Sequence, residues 1–168
     1  ALTDAVRRFC RGKTAAQIHA ELYERANIIA SINDMFWIPP GRVSAFDSSN
    51  YLKLTRFAAR FELRDHTLIG ATAGSVKAFE ERADVSVHSL DELDRALDDY
   101  AAQLVATGRL AAIKIGQAYG RDLCFAEVEH AHAAALFDAA MRGDTTVVRP
   151  LGDYLFHRLL ERARMFNL

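Results

Sequence analysis

The chain has 168 residues, of which 51% are hydrophobic and 26% charged, and its 21 basic and 22 acidic side chains leave a formal net charge of -1. This length fits one domain, and the composition excludes the collagen, coiled-coil and disordered classes. The balance of charge provides no overall field that would attract nucleic acid or an anionic membrane, so neither is expected as a partner.

The cysteines and the hydropathy of the chain predict a cytoplasmic protein. Cys10 and Cys124 are far apart and form no CxxC pattern, so a reducing compartment is expected. No apolar run reaches the about 18 residues that a membrane-spanning helix needs. The first residues, ALTDAVRRFCRG, mix apolar and charged side chains and do not form the apolar core of a signal peptide.

The first third of the chain predicts a helix, a strand and a loop. Thr14 and Gln17 have the spacing of a capping box, which predicts a helix over residues 15–26 that Asn27 can end. The β-branched content that follows predicts a buried strand over residues 28–33. The small polar residues of GRVSAFDSSN break any period and predict a loop.

The rest of the chain alternates predicted strands and helices. A second strand is expected within residues 57–63, and GSVKAFEERA has the pattern of a short helix. A second capping box, SLDE, starts the clearest helix, which Gly108 ends. LAAIKIG then predicts a third strand, and FAEVEHAHAAALFDAAMRG and RPLGDYLFHRLLERARMF predict the last two helices.

This order of elements predicts an α/β fold with parallel strands. Strands that are separated by helical crossovers pair in parallel, with helices on at least one face of the sheet. Right-handed crossovers then produce either a doubly wound sheet or part of a (β/α)₈ TIM barrel. Residues 1–168 contain no internal repeat and no flexible linker, which indicates a single unit.

Lys114 stands out because it interrupts an apolar run that is predicted to be a buried strand. Lysine is seldom fully buried, so one interpretation is that Lys114 lies near the strand end and extends its ammonium group to water. The other is that it points into a polar pocket at the carboxyl end of the sheet. Gly116 and Ala118 share its face and would leave room there for a ligand.

Further polar residues follow the predicted strands. In parallel α/β sheets ligands bind beyond the carboxyl ends of the strands, which is where Asp34, Arg64, Tyr119 and Arg121 lie in the sequence. Asp34 could equally cap the following turn. Together with Lys114 these side chains would suit an anionic or polyhydroxyl small-molecule substrate.

The HAH sequence at His130–His132 looks like a metal motif but is predicted to be helical. Residues two apart on a helix point in different directions, so the two histidines cannot share a metal ion there. Glu127 and His130 have the spacing of a di-metal ExxH motif, but the chain contains one such pair only, and a solvated helix face is the favoured interpretation. Nucleotide-binding and nucleophile-elbow motifs are absent.

Three segments, LYERANIIASIND, RFELRDHTLI and LAAIKIGQAYGR, resemble the second to fourth strands of amidohydrolase-superfamily TIM barrels. The similarity is closest to the uncharacterised metal-dependent hydrolases related to glucuronate (uronate) isomerase. It implies hydrolysis of a small polar or anionic substrate with zinc or manganese, or aldose–ketose isomerisation in the isomerase branch. Under this resemblance Lys114 is a catalytic residue, and a metal ligand where it is carboxylated. Asp34 is a second catalytic candidate, and Arg64, Tyr119 and Arg121 would bind substrate.

The chain also departs from that family. The HxH motif of the first strand and the histidines and aspartate of the later strands have no counterpart, so the other metal ligands are absent from this chain. A complete barrel needs roughly 250 residues. The expectation is therefore an incomplete barrel segment whose exposed sheet is covered by a further polypeptide segment or by a homo-oligomer. The alternative is a non-catalytic α/β module that acts by association.

Overall fold

The computed structural model describes residues 2–29, 31–34, 55–60, 71–106, 108 and 110–168. These ranges contain, in chain order, α1 Leu2–Cys10, α2 Ala15–Arg25, β1 Ser31–Asp34, β2 Thr55–Arg60, α3 Ala73–Ala83, α4 Leu90–Ala106, β3 Leu110–Lys114, α5 His130–Met141 and α6 Val148–Met165. Short 3₁₀ turns lie at Gln117–Tyr119 and Thr145–Val147.

Several helix ends form where the sequence predicts them. The Thr14 hydroxyl accepts a hydrogen bond from the amide of Gln17 and the Gln17 side chain accepts one from the amide of Thr14, which confirms the capping box of α2. Ser89 caps α4 by accepting a hydrogen bond from the amide of Glu92, whereas the Glu92 carboxylate accepts one from the amide of His88. Positive φ angles at Asn27, Gly108 and Gly143 follow the helices that these residues were predicted to end.

The hydrophobic core is built by helices. Every fully buried apolar side chain among the described residues lies between Ala71 and Leu159, and most of them project from α3, α4, α5 and α6. Phe79, Leu93, Phe137 and Leu151 are completely or almost completely buried and join these four helices into one cluster. The area they remove from water is the main source of stability in this part of the chain.

The three strands are short and lie beside this core. They pair in parallel in the order β1-β2-β3, with Asp34 opposite Ala58 and Arg60 opposite Lys114. β3 contributes Leu110 and Ile113, which are half-buried against the helical core. On β1, Ile32 is 60% exposed.

The prediction of an α/β fold in the form of a TIM-barrel segment is wrong. In a barrel the parallel sheet is itself the core, and the strand side chains fill its interior. Here the described residues are predominantly helical and the core is a packing of helices, which no described strand side chain enters as a fully buried residue. The resemblance to a barrel family misled the prediction, because its short segments are apolar runs that suit a short strand beside helices as well as a strand of a barrel.

The helices of the described residues do not have the character of membrane spans. None of them is both long enough and apolar enough to cross a bilayer.

Candidate functional site

Lys114 is the last residue of β3 and is exposed to solvent. The residues before it on the strand are half-buried, so the chain reaches the surface at this lysine. Solvent exposure satisfies the ammonium group, which accounts for a lysine at the end of an apolar run without any ligand. The catalytic and metal-binding roles of Lys114 stay predictions.

Asp34 and Lys114 lie at the same end of the parallel sheet, on its two outer strands. The parallel register places Asp34 opposite Ala58, and Ala58 opposite Ala112, so both chain positions are at the carboxyl ends, one on either side of β2. Arg64, which was also predicted to lie beyond a strand end, is outside the described residues.

Tyr119 and Arg121 diverge from each other. Tyr119 lies in a 3₁₀ turn and is 76% exposed. Arg121 turns instead towards α6, where its Nη1 atom is 2.7 Å from Asp153 Oδ1. The two groups form a close ion pair, but the N–H bonds of Arg121 do not point at Asp153 Oδ1 and make no hydrogen bond to it. The structure therefore does not bring Tyr119 and Arg121 together as a substrate-binding pair.

Further contacts show what Arg121 does in this fold. It donates hydrogen bonds to the carbonyl oxygens of Asp122, at 3.1 Å, and Cys124, at 2.8 Å. Its guanidinium lies 4.5 Å from the ring centroid of Phe125, and that ring stacks on Phe156 of α6 at 3.7 Å. Arg121 thus fixes the segment before α5 onto α6, and its charge is already neutralised by Asp153.

A second polar cluster, which no sequence motif predicted, joins α4 to α6. Arg162 is only 2% exposed, and its Nε donates to Asp98 Oδ1 at 2.6 Å while its Nη2 donates to Asp94 Oδ1 at 2.8 Å. Asp94 Oδ2 accepts hydrogen bonds from the hydroxyl of Tyr154, at 2.8 Å, and from Arg158 Nε, at 3.2 Å. Burial, and then the hydrogen bond to Asp94, raise the pKa of Tyr154, so its hydroxyl stays protonated and donates.

Asp94 and Asp98 of α4 and Tyr154 and Arg158 of α6 line an open cleft of about 640 Å³ between α4, α5 and α6. The other lining residues include Asp91 and His130, whose Oδ1 and Nε2 atoms are 2.8 Å apart. Both oxygens of the Asp94 carboxylate accept hydrogen bonds from α6, and Asp98 accepts one from Arg162, so these groups serve the contact between the helices. The cleft is therefore best explained as the solvent side of an ion-pair network that holds the helices together.

The sequence did contain a signal for this cluster. Tyr154, Arg158 and Arg162 recur at intervals of four on α6, and Asp94 and Asp98 recur at the same interval on α4. Stripes of opposite charge with helical spacing can face each other across a helix–helix contact, although the spacing alone does not identify the partner helix.

The HAH motif does not form a metal site in the described part of the chain. His130 is the first residue of α5 and pairs with Asp91, whereas His132 is exposed. Among the described residues no group of three or more His, Cys, Asp or Glu side chains is placed to hold a metal ion. Catalytic zinc takes about three protein ligands, so the described residues do not fit the predicted metal by themselves.

Among the described residues, exposed apolar side chains are concentrated in the N-terminal part. Ile28, Ile29 and Ile32, which we call the β1 patch, are 42%, 84% and 60% exposed. On α1 and α2, which contain no buried residue, Leu2, Val6 and Leu22 are exposed as well. Scattered apolar residues are normal on a protein surface, whereas a concentration of them is typical of an interaction surface.

Comparisons with family models, with curated proteins and with solved structures gave no significant match.

Proposed function

We propose that the chain is an association module, in which the helices α3–α6 form the folded support and the β1 patch binds another polypeptide. The observation that carries this proposal is the division of the apolar side chains. The core residues lie between Ala71 and Leu159, whereas Ile29 and Ile32 of the β1 patch are more than half exposed. Leaving such side chains in water forgoes about 1.5–3 kcal/mol each, which association can recover.

The backbone beside the patch supports the same proposal. β1 pairs on one side with β2, and no described strand pairs with its other edge. A strand edge offers unpaired N–H and C=O groups, and partners commonly bind there by adding a strand of their own. Ile32 on β1, and Ile29 just before it, would contact side chains of the added strand. In the purified protein the available partner is a second copy, so the proposal predicts a homo-oligomer.

Sedimentation velocity over a range of protein concentrations tests this proposal. The wild-type chain is expected to self-associate, and the double variant Ile29→Lys, Ile32→Lys is expected to stay monomeric because two charges would then be buried at the contact. The matched control is Leu123→Lys, Leu160→Lys, which changes two apolar side chains of similar exposure, 61% and 50%, elsewhere on the chain. A wild-type chain that is monomeric at every concentration would overturn the proposal, as would equal effects of the two double variants.

A second candidate function, metal-dependent hydrolysis in the cytoplasm, has one observation in its favour. Asp34 and Lys114 occupy the carboxyl ends of parallel strands, the usual place for a catalytic group in such sheets. Because the described residues lack a full set of metal ligands, the remaining ligands would have to come from elsewhere, for example from the associated polypeptide.

This candidate depends on Lys114 becoming carboxylated. Protein incubated with zinc and ¹³C-labelled bicarbonate is expected to show a carbamate carbon signal in an NMR spectrum, and Lys114→Ala should abolish it. Lys77→Ala is the matched control, since Lys77 is an exposed lysine on α3. A spectrum of the wild-type protein without this signal, or with a signal that persists in Lys114→Ala, would remove the candidate.

A further inference from the structure

The N-terminal helix α1 separates apolar and charged side chains on opposite faces. Leu2, Ala5, Val6 and Phe9 follow at intervals of three and four, so they share one face. Asp4, Arg7 and Arg8 lie on the remaining surface of the same helix, which therefore carries a net positive charge. No sequence prediction covered this helix, and the i, i+3, i+4, i+7 spacing is the signal that would have identified it.

The described residues cover only one end of the apolar face. Phe9 is half-buried, because Lys13 lies 4.1 Å and Arg25 lies 5.4 Å from the centroid of its ring. Lys13 and Arg25 are themselves held by Glu21, each at 2.5 Å. At the other end of the face Leu2 is 82% exposed and Val6 is 52% exposed.

Positive charge is concentrated at the same place. Arg7, Arg8, Arg11 and Lys13 fall within seven consecutive residues. Lys13 is paired with Glu21, and none of the ion pairs found among the described residues involves Arg7, Arg8 or Arg11. Asp4, one helical turn before Arg7 and Arg8, offsets one of the three arginine charges. The formal net charge of -1 for the whole chain conceals this basic cluster. The expectation of no membrane partner rests on that total charge and therefore does not apply to a local basic segment.

From these features we infer that α1 binds the surface of an anionic phospholipid membrane, lying parallel to it with Leu2 and Val6 in the interface and the arginines near the lipid phosphates. A helix with one apolar face and a polar face of net positive charge is typical of such interfacial segments. The cytoplasmic leaflet carries the negative surface potential that would attract the arginines.

Other occupants fit this surface less well. A second copy of α1 would bring the unpaired arginines of both copies together, and like charges repel. Nucleic acid would pair with the arginines but would leave Leu2 and Val6 in water. An acidic polypeptide could satisfy both features, and the experiment distinguishes it from lipid.

Flotation of the purified chain with lipid vesicles tests this inference. Vesicles of phosphatidylcholine that contain a minor fraction of phosphatidylglycerol are compared with vesicles of phosphatidylcholine alone. Binding to the anionic vesicles is expected to be at least about tenfold stronger and to weaken as salt is raised, because the surface potential is screened within about 10 Å at 0.1 M salt.

Two double variants separate the charged and the apolar contributions. Arg7→Gln, Arg8→Gln and Leu2→Ser, Val6→Ser should each lower binding to the anionic vesicles about tenfold or more. The matched controls are Arg142→Gln, Arg164→Gln, which removes two other exposed arginines, and Leu123→Ser, Leu160→Ser. Both controls should bind within about twofold of the wild-type chain.

Three results would overturn the inference. The first is a wild-type chain that does not float with the anionic vesicles, or that floats equally with neutral ones. The second is binding that the controls reduce as much as the α1 variants do. The third is binding to poly-glutamate, but not to vesicles, that depends on Arg7 and Arg8, which would identify an acidic polypeptide as the occupant. Sedimentation of the same variants without lipid shows whether the β1 patch still associates, so a failure of this inference is distinguishable from a failure of the association proposal.

Discussion

The guanidinium of Arg162 on α6 holds Asp94 on α4 through two atoms, donating from Nη2 to the carboxylate at 2.8 Å and to the backbone carbonyl at 3.0 Å. The Nε–H of Arg162 donates to Asp98 Oδ1 at 2.6 Å. A buried cation costs several kcal/mol to desolvate unless such partners surround it. This pair therefore fixes the relative position of two core helices that are far apart in sequence.

Replacing Arg162 with alanine should lower the free energy of unfolding by about 3–5 kcal/mol, because Asp94 would be left buried without its main cationic partner. Urea denaturation followed by circular dichroism measures the change. Arg164→Ala is the matched control, since Arg164 is an exposed residue two positions along the same helix, and it should change stability by less than about 0.5 kcal/mol. Equal losses in the two variants would show that the network does not stabilise the helix packing.

Tyr154 should make the free energy of unfolding fall at alkaline pH. Burial, together with its hydrogen bond to Asp94, raises the pKa of Tyr154 in the folded state above the ordinary value of a tyrosine in the unfolded chain. The stabilising contribution is therefore complete below about pH 10 and is lost as the pH rises from there towards the folded-state pKa.

Tyr154→Phe should consequently flatten the decline in the urea midpoint above about pH 10. Tyr119→Phe serves as control, because Tyr119 is 76% exposed, and it should leave the decline unchanged. Tyrosinate absorbance, recorded in the same titration, should show one late-titrating tyrosine fewer in Tyr154→Phe. A decline that is identical in Tyr154→Phe and wild type would contradict this account.

The capping box of α2 should control the local stability of that helix. Thr14→Ala removes the side-chain acceptor for the amide of Gln17, 3.3 Å away, at a cost of about 1 kcal/mol. Since α2 buries no residue, the loss should appear as about fivefold faster hydrogen exchange in the first turn of α2, without a change in the global unfolding midpoint. Thr3→Ala on α1 is the control and should leave the exchange of α2 unchanged.

The helical core should tolerate truncation far less than the N-terminal surface does. Phe79 is completely buried and lies edge-on to Tyr100, with the ring centroids 5.9 Å apart, so Phe79→Ala should cost about 3–5 kcal/mol. Leu22→Ala on α2, where the side chain is 48% exposed, should cost less than about 0.5 kcal/mol. Comparable losses for the two variants, measured by urea denaturation, would mean that the core extends into the N-terminal part.

Local signals predicted the helix ends better than they predicted the fold. Thr14, Ser89 and Gly143 mark helix ends through hydrogen bonds and backbone angles that depend on a few neighbouring residues, and these predictions are confirmed. The start of α5 was predicted at Phe125, yet the helix begins at His130. Phe125 instead stacks on Phe156, and the amide of Ala126 donates to Asp153 on α6, both of which are long-range contacts that local spacing does not reveal.

The prediction that Arg121 and Tyr119 bind substrate together did not foresee the partner of Arg121, for a related reason. Sequence position alone placed Arg121 beyond a strand and free for a substrate, but Asp153, which neutralises it, lies on α6 and is 5% exposed. The barrel prediction depended on the resemblance of three short segments to a barrel family, and the apolar runs in those segments do not distinguish a central sheet from short strands beside a helical core. Both errors concern which elements meet in space, and a single sequence without an assigned topology does not contain that information.

Hydrogen–deuterium exchange at the backbone amides of β1, Ser31–Asp34, tests the association proposal most directly, because it reports on the strand edge where the partner is expected to bind. The amides of α4 and α6, in the helical core, provide the internal reference in the same samples. We expect β1 to exchange fast in dilute protein and to become at least about tenfold protected as the concentration rises, while α4 and α6 stay unchanged. Exchange of β1 that is independent of concentration in the wild-type chain, or protection that persists in Ile29→Lys, Ile32→Lys, would contradict the association proposal.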